Sequence, residues 1–96
     1  MNPALPGNWY YVYLLKSKLV SKFYIGCTNN LQRRLIEHNE GKVFTTKRML
    51  PLELVYFEGY KSKDSAYIRE KSLKMSGNSI SKIKTRITLQ TKGRAG

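Results

Sequence analysis

The chain has 96 residues, room for one small domain and not two, and its 18 Lys and Arg against six Asp and Glu give a net charge of +12. That excess is beyond what solubility asks of a small domain and points to a polyanionic partner, with nucleic acid ahead of an anionic membrane because no long basic amphipathic helix is evident. A single cysteine, Cys27, excludes a disulfide framework and a CxxC metal pair, while no signal-peptide pattern or membrane-length apolar window is found, so the expectation is a soluble, cytoplasmic protein.

Residues 1–8 carry Pro3, Pro6 and Gly7 and read as a loose leader. The run WYYVYLL from Trp9 to Leu15 is apolar or aromatic at every position and predicts a strand covered on both faces. Tyr11, Tyr13 and Leu15 share one face, and Tyr10, Val12 and Leu14 the other. Lys16 to Ser21 follows as a loop, and Phe23, Tyr24 and Ile25 open a second strand. A hairpin centred on Lys18 and Leu19 puts Tyr13 opposite Tyr24.

The segment YIGCTNNLQRRLIEHNEG then reads as strand, polar turn and amphipathic helix, capped by Thr28 or Asn29 (the latter with Gln32) and closed by Gly41. At about 100° per residue, Leu31 and Leu35 define the buried stripe and Arg33 and Glu37 the polar side. Arg34 and His38 lie one turn apart on the margin, from which a cation reaches a phosphate.

Gly41 to Arg48 is a basic loop. After Pro51, LELVYFEGY predicts a third strand, with Leu52, Leu54 and Tyr56 on one face and Val55 and Phe57 on the other. Ser62 or Asp64 caps a second helix over Ser65–Met75, where Glu70 falls among Ala66, Tyr67 and Leu73 on one face. A carboxylate there is costly unless something pairs with it. Gly77 and Asn78 break that helix, and Ile80, Ile83 and Ile87 carry a third over Ser79–Ile87. The closing TLQTKGRAG reads as disordered, and residues 71–96, with seven cations and no carboxylate, are the most basic part of the chain.

Tyr11-Val12-Tyr13 on the first strand, Tyr24-Ile25-Gly26 on the second, Arg34 ten residues after Tyr24, then His38, Asn39, Gly41 and Glu70 together resemble the GIY-YIG nuclease domain. Tyr11 stands where the family has Gly and Val12 where it has Ile, a change in packing that leaves the second tyrosine in place. The resemblance covers nearly the whole chain and is greatest to small stand-alone members. It implies an α+β fold in the order β-β-α-β-α-α, a small central three-stranded antiparallel sheet flanked by about three helices. The domain spans 9–87, between the 1–8 leader and a basic disordered tail at 88–96.

The same resemblance implies a metal-dependent endonuclease or nickase that hydrolyses phosphodiester bonds in DNA, with Tyr13, Tyr24, Arg34, His38 and Glu70 in the site. Glu70 is the implied ligand of Mg²⁺, with Mn²⁺ as substitute; a hard ion of this kind takes one or two carboxylates and fills its shell with waters and phosphate. The ordinary alternative for Glu70 is a salt bridge to Arg34 or a lysine. Arg34 offers a fork of donors with a fixed charge, whereas Arg33 points away and reads as a solvated charge. Either Tyr13 or Tyr24 is a candidate to activate water, while Tyr10, Tyr56, Tyr60 and Tyr67 read as core rings with bonded hydroxyls. His38 assists a tyrosine or binds phosphate, and Cys27 is a small packed residue. Lys16, Lys22, Lys47, Arg48, Asn78, Lys82, Lys84 and Arg86 are candidate nucleic-acid contacts. The competing reading is a non-catalytic nucleic-acid-binding module that retains the nuclease fold, because a fold alone does not establish turnover.

Overall fold

The computed structural model describes residues 9–93. The elements run β1 (Tyr10–Ser17), β2 (Phe23–Thr28), α1 (Leu31–Asn39), a 3₁₀ turn (Phe44–Thr46), β3 (Leu52–Tyr60), α2 (Lys63–Met75) and α3 (Gly77–Gly93). The strands form one antiparallel sheet in the order β2-β1-β3. The expected α+β class and element order are both present. Among the described residues no helix is long and apolar enough to cross a membrane.

The continuous apolar run of β1 is explained by its central place. Val12 and Leu14 pack with Ala66, Leu73 and Ile83 from α2 and α3 on one face, whereas Tyr13 and Leu15 pack with Met49 and Leu52, beside Leu31 and Leu35 of α1, on the other. This is the two-sided burial that a strand without polar alternation requires.

The hairpin register differs from the expected one: Tyr13 faces Gly26, and Tyr24 faces Leu15. The Ser17 side chain is the cause. Its hydroxyl oxygen accepts from the backbone N–H groups of Leu19 and Val20, both at 3.0 Å, and the loop closes with Ser17 N–H donating to the Lys22 carbonyl. The turn is thereby centred one residue later than symmetry about Lys18 and Leu19 would place it, and a loop of this length leaves that choice to its side chains.

A β-bulge in β3 brings a second correction. Leu15 pairs with Leu54 and Leu14 with Tyr56, so Val55 is the extra residue. Tyr56 therefore joins Val55 on the α2 face, and Phe57 crosses to meet Tyr11 edge-on at 6.0 Å. Strict alternation cannot anticipate the flip. In helix α1 the cap is Asn30, whose Oδ1 accepts from Arg33 N–H at 3.0 Å, while Thr28 Oγ1 accepts from Asn30 N–H. Gly41, at φ 76°, closes the helix as expected, in a conformation that a side chain would strain. Asn39 at its last turn donates to the Leu52 carbonyl and accepts from Leu52 N–H, fastening α1 to β3.

Ser62 caps α2, accepting from Ser65 N–H. Ala66 and Leu73 are buried as expected, but Tyr67 is exposed, its ring under Lys63 Nζ at 5.6 Å. α3 starts at Gly77 rather than Ser79 and continues to Gly93, so residues 88–93 are helical and not disordered; Thr88 donates to the Lys84 carbonyl within it. A run free of proline lets the helix continue past its last isoleucine. Residues 1–8 and 94–96 of the expected leader and tail lie outside the described residues.

Glu58 on the α2 face takes a bidentate pair from Arg69, both contacts at 2.9 Å, and accepts from the Tyr56 and Tyr60 hydroxyls. Burial pushes its carboxyl up, but these donors outweigh it and hold the pKa at about 2. The unfolded chain binds that proton near the ordinary glutamate value of 4.5, so the stabilisation is complete above pH 4.5 and is lost as pH falls toward 2.

Candidate functional site

Three rings meet on the α1 face of the sheet. Tyr13 lies 6.4 Å from Tyr24 and 5.8 Å from His38, and Tyr24 lies 5.2 Å from His38, centroid to centroid. The register correction matters here: Gly26, not Tyr24, stands opposite Tyr13, and the phenol lies across the space that a Cβ at Gly26 would fill. Glycine in the Tyr-Ile-Gly triplet is therefore what lets the Tyr13 ring lie flat over β2.

His38 is fully buried, at 0 % exposure, rather than on the helix margin. Its Nδ1 is 2.7 Å from Thr46 Oγ1 and its Nε2 is 2.9 Å from the Tyr13 oxygen. Thr46 and Tyr13 thus occupy both imidazole nitrogens, and the tautomer sets which of the two hydroxyls donates to the ring and which accepts from it. Burial first, and then the Arg34 charge, lower the pKa of His38 below 6.5. Burial likewise raises Tyr13 to about 12, against the Arg34 guanidinium, which is close enough to hydrogen-bond to the phenol oxygen. At neutral pH both groups are uncharged, and the proton sits on Tyr13.

Arg34 is one turn before His38, with 38 % of its side chain exposed, and pairs with Glu37 at 3.0 Å. The bond to Glu37, then the one to Tyr13, raise its pKa further, so its charge is permanent. Arg33 is solvated, as expected, at 3.9 Å from Glu37. Glu70 approaches from α2 with its side chain 20 % exposed and its Oε2 3.0 Å from Lys74 Nζ. Its charge acts on both Tyr13 and Cys27. The salt bridge weighed for Glu70 is thus present, to a lysine and not to Arg34. Burial, with Glu70 next, raises the Cys27 thiol pKa, which fits a packed residue rather than a nucleophile.

The candidate nucleic-acid residues divide. Lys22 and Lys84 line a cleft of about 670 Å³ between the β2 edge and α2–α3, together with Tyr24 and Lys74. Lys84 Nζ stands 4.4 Å over the Phe23 ring. Lys47 and Arg48 are exposed just after Thr46, on the loop behind His38. Lys16, Asn78, Lys82 and Arg86 are exposed, and no described contact draws Asn78 to the ring cluster. Thr46 and Gly26 were missed as site residues. The loop of Thr46 has no period to betray it, whereas the glycine of the triplet could have been found by asking what covers it.

Because His38 is held neutral, the unfolded state binds its proton more readily, and the folded state is favoured fully above pH 6.5 and progressively less below it. Stability to urea is therefore expected to fall in two steps on acidification. The first begins below pH 6.5 and belongs to the chain's one histidine; the second, on the order of 3 kcal/mol, belongs to Glu58 between pH 4.5 and 2. His38→Gln should erase the first step alone; unfolding midpoints that do not change between pH 7.5 and 5.5 in the wild type would contradict the assignment.

The GIY-YIG catalytic domain family matches residues 9–84. A UPF0213 protein of Streptococcus pneumoniae serotype 4 is 42 % identical over 65 residues, covering 67 % of this chain and 65 % of that protein. The UPF0213 protein CPE1444 of Clostridium perfringens is 45 % identical over 65 residues, covering 67 % and 69 %. The matches thus span about two thirds of the length of these relatives. The solution NMR structure of the UPF0213 protein BH0048 from Bacillus halodurans superposes with a TM-score of 0.52 at 29 % identity, covering 80 % of this chain and 83 % of that one. With the paired tyrosines on adjacent strands, Arg34 on α1 and Glu70 on α2 around the same three-stranded sheet, the chain belongs to the GIY-YIG catalytic domain family, among its UPF0213 members.

Proposed function

We propose that the protein is a divalent-metal-dependent endonuclease or nickase acting on DNA. The observation that carries the reading is the convergence of Tyr13, Tyr24 and His38 from three elements on one point, with Arg34 on the last turn but one of α1 and Glu70 near enough to act on Tyr13. Hydrolysis of a phosphodiester needs an oriented water and fixed positive charge at the phosphoryl oxygens. In this mechanism the Tyr13 hydroxyl donates to His38 Nε2, so its oxygen is left to accept from a water, and Thr46 holds the other imidazole nitrogen. Arg34 presents its fork to the phosphate, and Tyr24, half-buried beside the cleft, faces the substrate. Below the His38 pKa, Nε2 would become a donor and the arrangement would reverse.

Among the described residues no three His, Cys, Asp or Glu side chains cluster, and Glu70 is the carboxylate whose charge acts on Tyr13. A lone carboxylate fits Mg²⁺, or Mn²⁺ in its place, since such ions keep waters and substrate phosphate in their shell. Glu70 is the residue that would hold it, releasing Lys74, and the bound ion would acidify water and draw charge from the phosphoryl oxygens.

Nicking of supercoiled and branched DNA should appear with Mg²⁺ or Mn²⁺ and vanish with chelator. Tight DNA binding with no cut under any metal would instead establish the binding module. Affinity should also fall steeply as salt rises, as counterion release demands.

A further inference from the structure

Phe44 is 82 % exposed, the most exposed of the large hydrophobic residues described. A stray surface phenylalanine needs no explanation, but this one is held rigidly. Val43 before it and Thr46 after it are buried, Thr46 N–H donates to the Val43 carbonyl, Met49 N–H donates to the Thr46 carbonyl, and Ser17 on β1 donates to the Met49 carbonyl at 2.7 Å. A cation stands at the ring: Lys47 Nζ is 5.1 Å from its centroid, and Arg48 is exposed next along the same loop. The same 3₁₀ turn ends in Thr46, which orients His38, so the Cα of Phe44 lies within about 7 Å of a residue bonded to the site.

From this we infer that Phe44 is a stacking platform for an unpaired base next to the phosphate that is cut, so that the enzyme selects DNA with a single-stranded gap or flap over continuous duplex. The inference rests on the nuclease reading above. An exposed aromatic in a basic surface gives sequence-tolerant affinity, because every base has a π face. In continuous duplex those faces are covered by neighbouring bases, and only an unpaired base can lie on the ring. Lys47 and Arg48 then meet the flanking phosphates.

The test is fluorescence anisotropy in chelator, with one labelled duplex intact and the same sequence carrying a short single-stranded gap, for wild type, Phe44→Ala and Phe44→Trp. Wild type should prefer the gapped DNA. Phe44→Ala should lose about tenfold on the gapped DNA and nothing on the duplex, and Phe44→Trp should keep the preference. Equal affinity of wild type for both DNAs, or an equal loss on both in Phe44→Ala, would overturn the stacking role while leaving the nuclease reading standing. Failure of wild type to bind either DNA would overturn both. Exposure of the side chain means the melting temperature should not change, which separates lost stacking from lost fold.

Discussion

Arg34→Ala and Glu70→Ala are each expected to slow nicking by about 10³-fold, while the urea midpoint moves little. Both side chains are partly solvated and each gives up one surface ion pair, Arg34 to Glu37 and Glu70 to Lys74, a loss of at most about 1 kcal/mol. In the transition state of the proposed reaction the balance would differ: developing charge at the phosphoryl oxygens would face Arg34, and removing a fixed donor there is worth several kcal/mol. Arg34→Lys should recover only part of the rate, because a point charge does not reproduce the bidentate fork. Nicking that survives Glu70→Ala would place the chemistry at another site or in a contaminant.

Gly26→Ala is expected to cost roughly 1–3 kcal/mol of stability, the usual range for overpacking, and to abolish nicking. The added Cβ would overlap the phenol oxygen and Cζ of Tyr13. A flexible side chain would swing aside, but this ring is 3 % exposed, edge-on to His38 and hydrogen-bonded to it. Any shift that relieves the overlap breaks the bond that orients the oxygen, so stability and activity fall together. In a Tyr13→Ala background the same change at Gly26 should cost almost nothing further. A cost that persists there would mean that contact with Tyr13 is not the cause.

The parts of this molecule that follow from local pattern were legible in the chain. A strand without polar alternation had to be central and Gly41 had to end a helix, and the tyrosine pair with Arg34 and Glu70 marked a candidate site before any geometry. What escaped depended on side chains acting across the fold. Ser17 reset the hairpin by one residue, Val55 bulged and exchanged the faces of Tyr56 and Phe57, and Asn30 displaced its neighbours as the cap. His38 read as marginal because a helical projection cannot see Thr46, which arrives from a loop with no period and offsets the complete burial of the imidazole by hydrogen-bonding its Nδ1. The pairing of Glu58 with Arg69 was invisible for the same reason, since strand and helix residues eleven apart share no repeat.

The two hydrogen bonds between Asn39 and Leu52 bear on how molecules of this protein meet one another. β3 is an outer strand, and the N–H and C=O of Leu52 point away from β1, where another chain could continue the sheet. The carboxamide of Asn39 imitates a peptide group of that missing strand and satisfies both. The helix that carries Arg34 and His38 thus also blocks edge-to-edge growth at this end of β3, so that the candidate site and resistance to aggregation share one short helix.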